Sequence, residues 1–172
     1  RHFVELADRL ESVAGVRAVF FFGPREADLA RAVSELRQWE GGEPPVAHSP
    51  GSVRVLAAAF ELMDAVVTNN TGPMHIAAAV GVPGVFIHGP TPVSRWHPPG
   101  DRYVPVYADG LECRPCDTSK CAQSRLLCMD GVTVDRVFDA VCGLLERAGR
   151  GNETDPARDR NASPEEQEVG PA

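Results

Sequence analysis

Two groups of residues in this chain are of types that could do chemistry. The first is Asn70-Thr71-Gly72-Pro73 with Met74 and His75 behind it, joined further along by Thr91 and Arg95. The second is Cys113, Cys116, Cys121 and Cys128, spaced C-x2-C-x4-C-x6-C. In the first group each type has a physical task. Gly72 has no Cβ, so a diphosphate can approach its backbone. Pro73 suits the first turn of a helix, where its missing N–H is no loss. The free amides of that turn, with the helix dipole, attract anions. The Thr71 hydroxyl can add one bond to a phosphate oxygen, and His75, one turn in, can point the same way. The same four residues could equally cap a helix, and a lone histidine is commonly a packed residue. Spacing alone does not decide between these readings.

The elements that must position these residues follow from periodicity. Phe3, Leu6, Ala7, Leu10 and Val13 recur at helical spacing, which predicts a helix over 2–14 that Gly15 stops. Val16 to Phe22 is an unbroken apolar run, as in a strand covered on both faces. A helix over Glu26–Trp39, a loop over 40–45 and a short strand over Val46–His48 follow. Ser52 is placed to cap a helix over Val53–Met63. Then come a strand over Ala65–Asn69, a helix over Met74–Val80 and a strand over Gly84–His88. Strands separated by single helices pair in parallel through right-handed crossovers, so the expected fold is a doubly wound α/β sheet. Residues 90–131 break the rhythm with prolines and cysteines, and a last helix is expected from about Thr133 to Ala148. In such a sheet ligands bind beyond the carboxyl ends of the strands, which is where Asn70–Pro73 falls.

The bulk composition sets bounds. The chain has 172 residues, about one domain's worth. Its net charge of −7 gives no basic field for nucleic acid or an anionic membrane, so phosphate would have to be gripped by local geometry. One lysine, Lys120, against sixteen arginines reads as coding bias. No apolar run is long enough to span a membrane. RHFVELADRLES opens as an amphipathic helix with neither a charged n-region nor an apolar stretch, so no signal peptide is expected. With no initiator Met, the chain reads as a fragment. Residues 149–172 carry no aromatic and one large aliphatic, Val169, and are expected to be a disordered tail after a domain over 1–148. N-x-S/T triplets at Asn69, Asn152 and Asn161 read as chance.

Four segments in order resemble the family 9 glycosyltransferases, which include the lipopolysaccharide heptosyltransferases. They are TNNTGPMHIAAAVGVPGV, HGPTPVSRWHPPGD, CRPC with its later cysteines, and CMDGVTVDRVFDAV. HFVELADRL followed by VFFFGPREADLA extends the likeness over about residues 1–148. The resemblance implies a Rossmann-like carboxyl-terminal half of a two-domain GT-B enzyme, with a Cys-rich loop inserted. That half would bind a nucleotide-sugar donor such as ADP-heptose and act without a metal in catalysis. By the same resemblance Thr71, Gly72 and His75 would surround the donor diphosphate, with Pro73 in the same loop, and Thr91, beside that loop by topology, could reach it. Asn70, Met74 and Arg95 would contact its sugar or nucleotide. The acceptor, a glycolipid of lipopolysaccharide type, and the catalytic base would belong to an amino-terminal half. A cytoplasmic place at the inner membrane face, with contact only through the acceptor, completes the expectation.

Two departures stand out. The family usually has Asp where this chain has Asn70, which keeps the shape and loses the charge. The strand and Gly/Ser-rich loop that normally precede the first helix are not in this sequence.

Other residues leave alternatives open. Trp96 could cover a base or sugar face or lid the core, Arg95 could reach phosphate or stay solvated, and His88 is expected to pack at its strand end. Four close thiolates could complete a tetrahedral zinc shell, or remain free thiols in an irregular loop; Cys142 reads as a core residue. A non-catalytic module that holds a nucleotide or a partner, with a metal knuckle, is the competing reading.

Overall fold

The computed structural model describes residues 1–36, 46–47, 50–118 and 120–152. Its elements are α1 (His2–Ala14), β1 (Phe20–Phe21), α2 (Ala27–Leu36), β2 (Val46–Ala47), α3 (Val53–Glu61), β3 (Val66–Asn69), α4 (Gly72–Ala79), β4 (Gly84–His88), α5 (Val93–Trp96), β5 (Tyr103–Tyr107), α6 (Leu127–Asp130) and α7 (Val134–Asn152). All pairings are parallel, as alternating strands and helices require. They fall into two sheets, β1–β2 and β3–β4–β5, and no ladder joins β1 to β3 among the described residues.

The centre of the larger sheet is β4, whose five residues are all buried. Alternation sends its side chains to two separate cores. Val85 and Ile87 meet Leu6 and Leu10 of α1 and Val137, Phe138, Val141 and Leu144 of α7. On the other face Phe86 meets Phe60 of α3, Val66, Met74 and Ala77 of α4, and Val82. Burying each such side chain contributes about 1.5–3 kcal/mol. Phe86 lies flat over Gly84, where an added Cβ would stand 2.3 Å from the ring. Glycine at this strand position is therefore a packing requirement.

Several boundaries differ from those expected. Among the described residues, Phe20 and Phe21 are the part of the run Val16–Phe22 that pairs, with Val46 and Ala47. The ends of the second helix beyond Leu36, the loop over 40–45 and His48 lie outside the described residues. Ser52 does cap α3, accepting from Val55 N at 3.3 Å. The fifth strand, Tyr103–Tyr107, was hidden by Pro105, which suits an edge strand where its nitrogen faces away from the ladder. α7 continues to Asn152, four residues past its expected end, and the remainder of the expected tail lies outside the described residues.

Candidate functional site

Asn70–Pro73 and Gly89–Thr91 follow the carboxyl ends of the adjacent strands β3 and β4. The first loop closes directly into α4. Thr71 is the N-cap in extended conformation, its side chain makes no capping bond, and Pro73 occupies the first turn. The Thr71 hydroxyl instead donates to the Asn69 carbonyl at 3.3 Å. A Cβ built on Gly72 meets nothing within 4 Å, so the space over the helix terminus is open.

Behind this opening runs a chain of polar groups. Asn70 Nδ2 donates to Thr91 Oγ1 at 2.7 Å and lies 3.2 Å from His88 Nδ1. His88 Nε2 lies 3.1 Å from His97 Nδ1, and His97 Nε2 lies 3.1 Å from the Tyr103 carbonyl oxygen. His88 is fully buried. Burial first, then the neighbouring His97 and the Arg114 guanidinium, lower its pKa from 6.5 to about 4. Burial also lowers that of His97, against the opposing effect of its bond to the Tyr103 carbonyl. Both rings are therefore neutral near pH 7.

A second group stands beside the helix terminus. The rings of His75 and Trp96 are 6.5 Å apart edge-on, and the Arg95 guanidinium sits 5.1 Å over Trp96. Arg95 also pairs with Asp117 at 3.1 Å while most of its side chain remains in solvent. Thus the structure joins Asn70 to Thr91, and brings His75 and Arg95 each against Trp96. Met74 does not join them. Its side chain is fully buried in the second core, because the helical turn that exposes His75 points position 74 at the sheet. The expected contact of Met74 with the donor sugar or nucleotide would therefore fall to its backbone.

Cys113, Cys116 and Cys121 lie in the irregular connection between β5 and α6, and Cys128 lies in α6 itself. Cys116 and Cys121 are exposed and Cys128 is buried. Burial raises the Cys128 pKa, and the neighbouring thiols of Cys116, Cys121 and Cys113 push the same way. Among the described residues no three His, Cys, Asp or Glu side chains form a metal-ligand set. The connection does hold the second loop from behind. Cys116 N and Asp117 N donate to the Pro90 carbonyl at 3.0 and 3.1 Å, and Arg114 Nε donates to the Gly89 carbonyl at 2.9 Å. Arg114 lies over the Tyr107 ring at 4.2 Å and its Nη2 is buried without a partner. Sequence reasoning missed Arg114 and the pairing of His88 with His97. Nothing in spacing links residues that meet only when β4 and β5 pair.

Across β3, on the face of α1 and α7, a cleft of about 330 Å³ is lined by Asn69, Ile87, Met129 and Thr133 with the start of α1. That volume is at the small end of the range for ligand pockets.

Residues 1–127 match the profile of Glycosyltransferase family 9 (heptosyltransferase). The chain belongs to that family. It is 23% identical over 130 residues to lipooligosaccharide heptosyltransferase 2 of Campylobacter jejuni, covering 76% of this chain and 41% of that protein. The family 9 glycosyl transferase of Veillonella parvula superposes with a TM-score of 0.66 at 25% identity, over 85% of this chain and 41% of the other. E. coli ADP-heptose lps heptosyltransferase II gives 0.64 at 20%, with the same two coverages. E. coli heptosyltransferase WaaC, solved with ADP, gives 0.59 at 22%, over 83% and 38%. The chain thus spans about two fifths of the length of these relatives. The parallel α/β architecture expected from the sequence is the one these GT-B proteins share.

Proposed function

We propose that this chain is the donor-binding half of a glycosyltransferase that takes a sugar from a nucleotide diphosphate. The observation that carries the reading is the open helix terminus at Gly72, flanked by the Thr91 hydroxyl. A diphosphate seated there meets first-turn amides, the positive end of α4 and a side-chain hydroxyl. Charge developing on the leaving diphosphate would be stabilised by the same groups, an electrostatic task that does not call for a metal. His75, Trp96 and Arg95 form a rack beside the phosphate position that suits a sugar or a base.

ADP-heptose is the donor this reading favours, since two of the matching E. coli structures hold ADP or ADP-2-deoxy-2-fluoro heptose. The acceptor is a glycolipid of lipopolysaccharide type, held by an amino-terminal half that also supplies the base. No helix among the described residues is long and apolar enough to cross a membrane. Contact with the cytoplasmic membrane face would come through the acceptor. No residue of this chain is assigned as catalytic.

Titration with ADP and ADP-sugars, followed by backbone amide signals, tests the site. Shifts confined to residues 70–75 and 89–91 are expected, and no shift at 70–75 would sink the assignment. Asn70 favours a second reading, a module that holds a nucleotide or partner without turnover and carries a metal knuckle. Joining the chain to an amino-terminal half and assaying transfer separates the two. Elemental analysis finding less than about a tenth of an equivalent of zinc removes the knuckle.

A further inference from the structure

The polar chain behind Gly72 has a direction, and one group sets it. The Tyr103 carbonyl can only accept, so His97 Nε2 must carry a proton. A neutral His97 then has a bare Nδ1, which accepts from His88 Nε2–H across 3.1 Å. A neutral His88 in turn has a bare Nδ1 and needs a donor. Among the described residues, the group that faces it is the Asn70 amide nitrogen at 3.2 Å. The other N–H of that amide goes to Thr91 Oγ1 at 2.7 Å. Reversing the amide would set Asn70 Oδ1 against a bare ring nitrogen, or require an imidazolium in a place that burial and Arg114 both disfavour.

From this polarity we infer that the Asn70–His88–His97 relay fixes what the two loops offer a ligand: a lone acceptor at Asn70 Oδ1 and a free donor at the Thr91 hydroxyl. Both amide hydrogens of Asn70 are committed, so its oxygen can meet only a donor, such as a sugar hydroxyl. Thr91 already accepts, so its proton is available to a phosphate oxygen. The pair therefore selects a polyhydroxyl group joined to a phosphate, with the hydroxyl on the Asn70 side. This rests on the donor-site reading for the ligand's identity, but the relay itself does not. His88 and His97 are positioning residues in it.

The inference also assigns a meaning to the missing carboxylate. An Asp at position 70 has no proton to give His88. Asn70→Asp should therefore draw one proton into the relay, pairing the new carboxylate with one imidazolium, either His88 or His97.

Nitrogen-15 spectra of the histidine rings in the full chain test this directly. At pH 7 both rings should be neutral, protonated at Nε2 and bare at Nδ1. A proton on His88 Nδ1 in the unsubstituted chain overturns the relay, whether or not any variant folds. In Asn70→Asp one of the two rings should become a cation at pH 7, and two neutral rings would overturn the proton count. Thr91→Val should weaken ADP about tenfold or more, with Thr91→Ser restoring it. Equal binding by Thr91→Val removes the donor role of the hydroxyl. The two readings fail separately. Expected ring tautomers without ADP binding leave the relay standing and end the donor site, whereas ADP shifts with a protonated His88 Nδ1 do the reverse.

Discussion

The two loops at the strand ends carry a glycine each, and the two glycines are there for opposite reasons. Gly72 faces open space, and nothing among the described residues would lie within 4 Å of its Cβ. Gly89 faces inward, where a Cβ would lie 2.7 Å from Met129 Sδ and 3.9 Å from Cys128 Sγ. The first loop is left free on its ligand side. The second is tied from behind through three hydrogen bonds, Arg114 to Gly89 and Cys116 and Asp117 to Pro90. A site that must grip an anion with backbone amides needs one surface unobstructed and another that does not yield. On the donor-site proposal, the contrast is the means by which a chain of net charge −7 would hold phosphate.

The contrast can be broken from either side. Gly72→Val should leave the melting temperature within a few degrees while reducing ADP affinity about a hundredfold, because the side chain occupies only the ligand's space. Calorimetry beside binding would check both halves, and a large loss of stability would show that Gly72 is a packing glycine after all. Acid acts next in size. His88 is neutral when folded with a pKa of about 4, against 6.5 for an ordinary histidine. Between those values the unfolded chain binds more protons, so stability should fall by up to about 3 kcal/mol as pH drops from 6.5 toward 4. Denaturant midpoints across that range should slope accordingly, and less steeply in His88→Gln.

Gly89→Ala should cost about 1–2 kcal/mol of stability, moderated by the freedom of the Met129 thioether to swing away. Its ADP affinity should change less than that of Gly72→Val. Asp117→Ala breaks the exposed pair with Arg95, and should cost well under about 1 kcal/mol in stability. If that variant nonetheless weakens ADP more than Gly89→Ala does, Arg95 is a ligand contact whose aim depends on Asp117.

How much of this was legible beforehand differs between the same two loops. Asn70–Pro73 is local, with strand end, glycine, proline and helix start contiguous, so propensity and spacing sufficed to place it. Gly89–Thr91 was also placed, but its support was not, since Arg114, Cys116 and Asp117 reach it only because the chain returns after β5. β5 itself was obscured by Pro105, as the apolar signal of an edge strand is weakest where a proline interrupts it. The burial of the Met74 side chain was not legible for a related reason. Adjacency to a phosphate loop in sequence says nothing about which face of α4 a residue occupies, and a 3.6-residue period separates neighbours by about 100°. His88 was expected to pack at its strand end and does; that it is wired to Asn70 needed His97 to arrive from another element.

The division of the strands into two sheets has a consequence for how this chain behaves in company. The β3–β4–β5 sheet ends on one side in a strand that carries Pro105, and on the other in β3, Val66–Asn69, which has no proline and no described partner on its outer side. A proline-bearing border resists the addition of a strand, whereas a border without proline, and without a partner among the described residues, is open to one. At high concentration, association is expected at the β3 border before the proline-bearing β5 border.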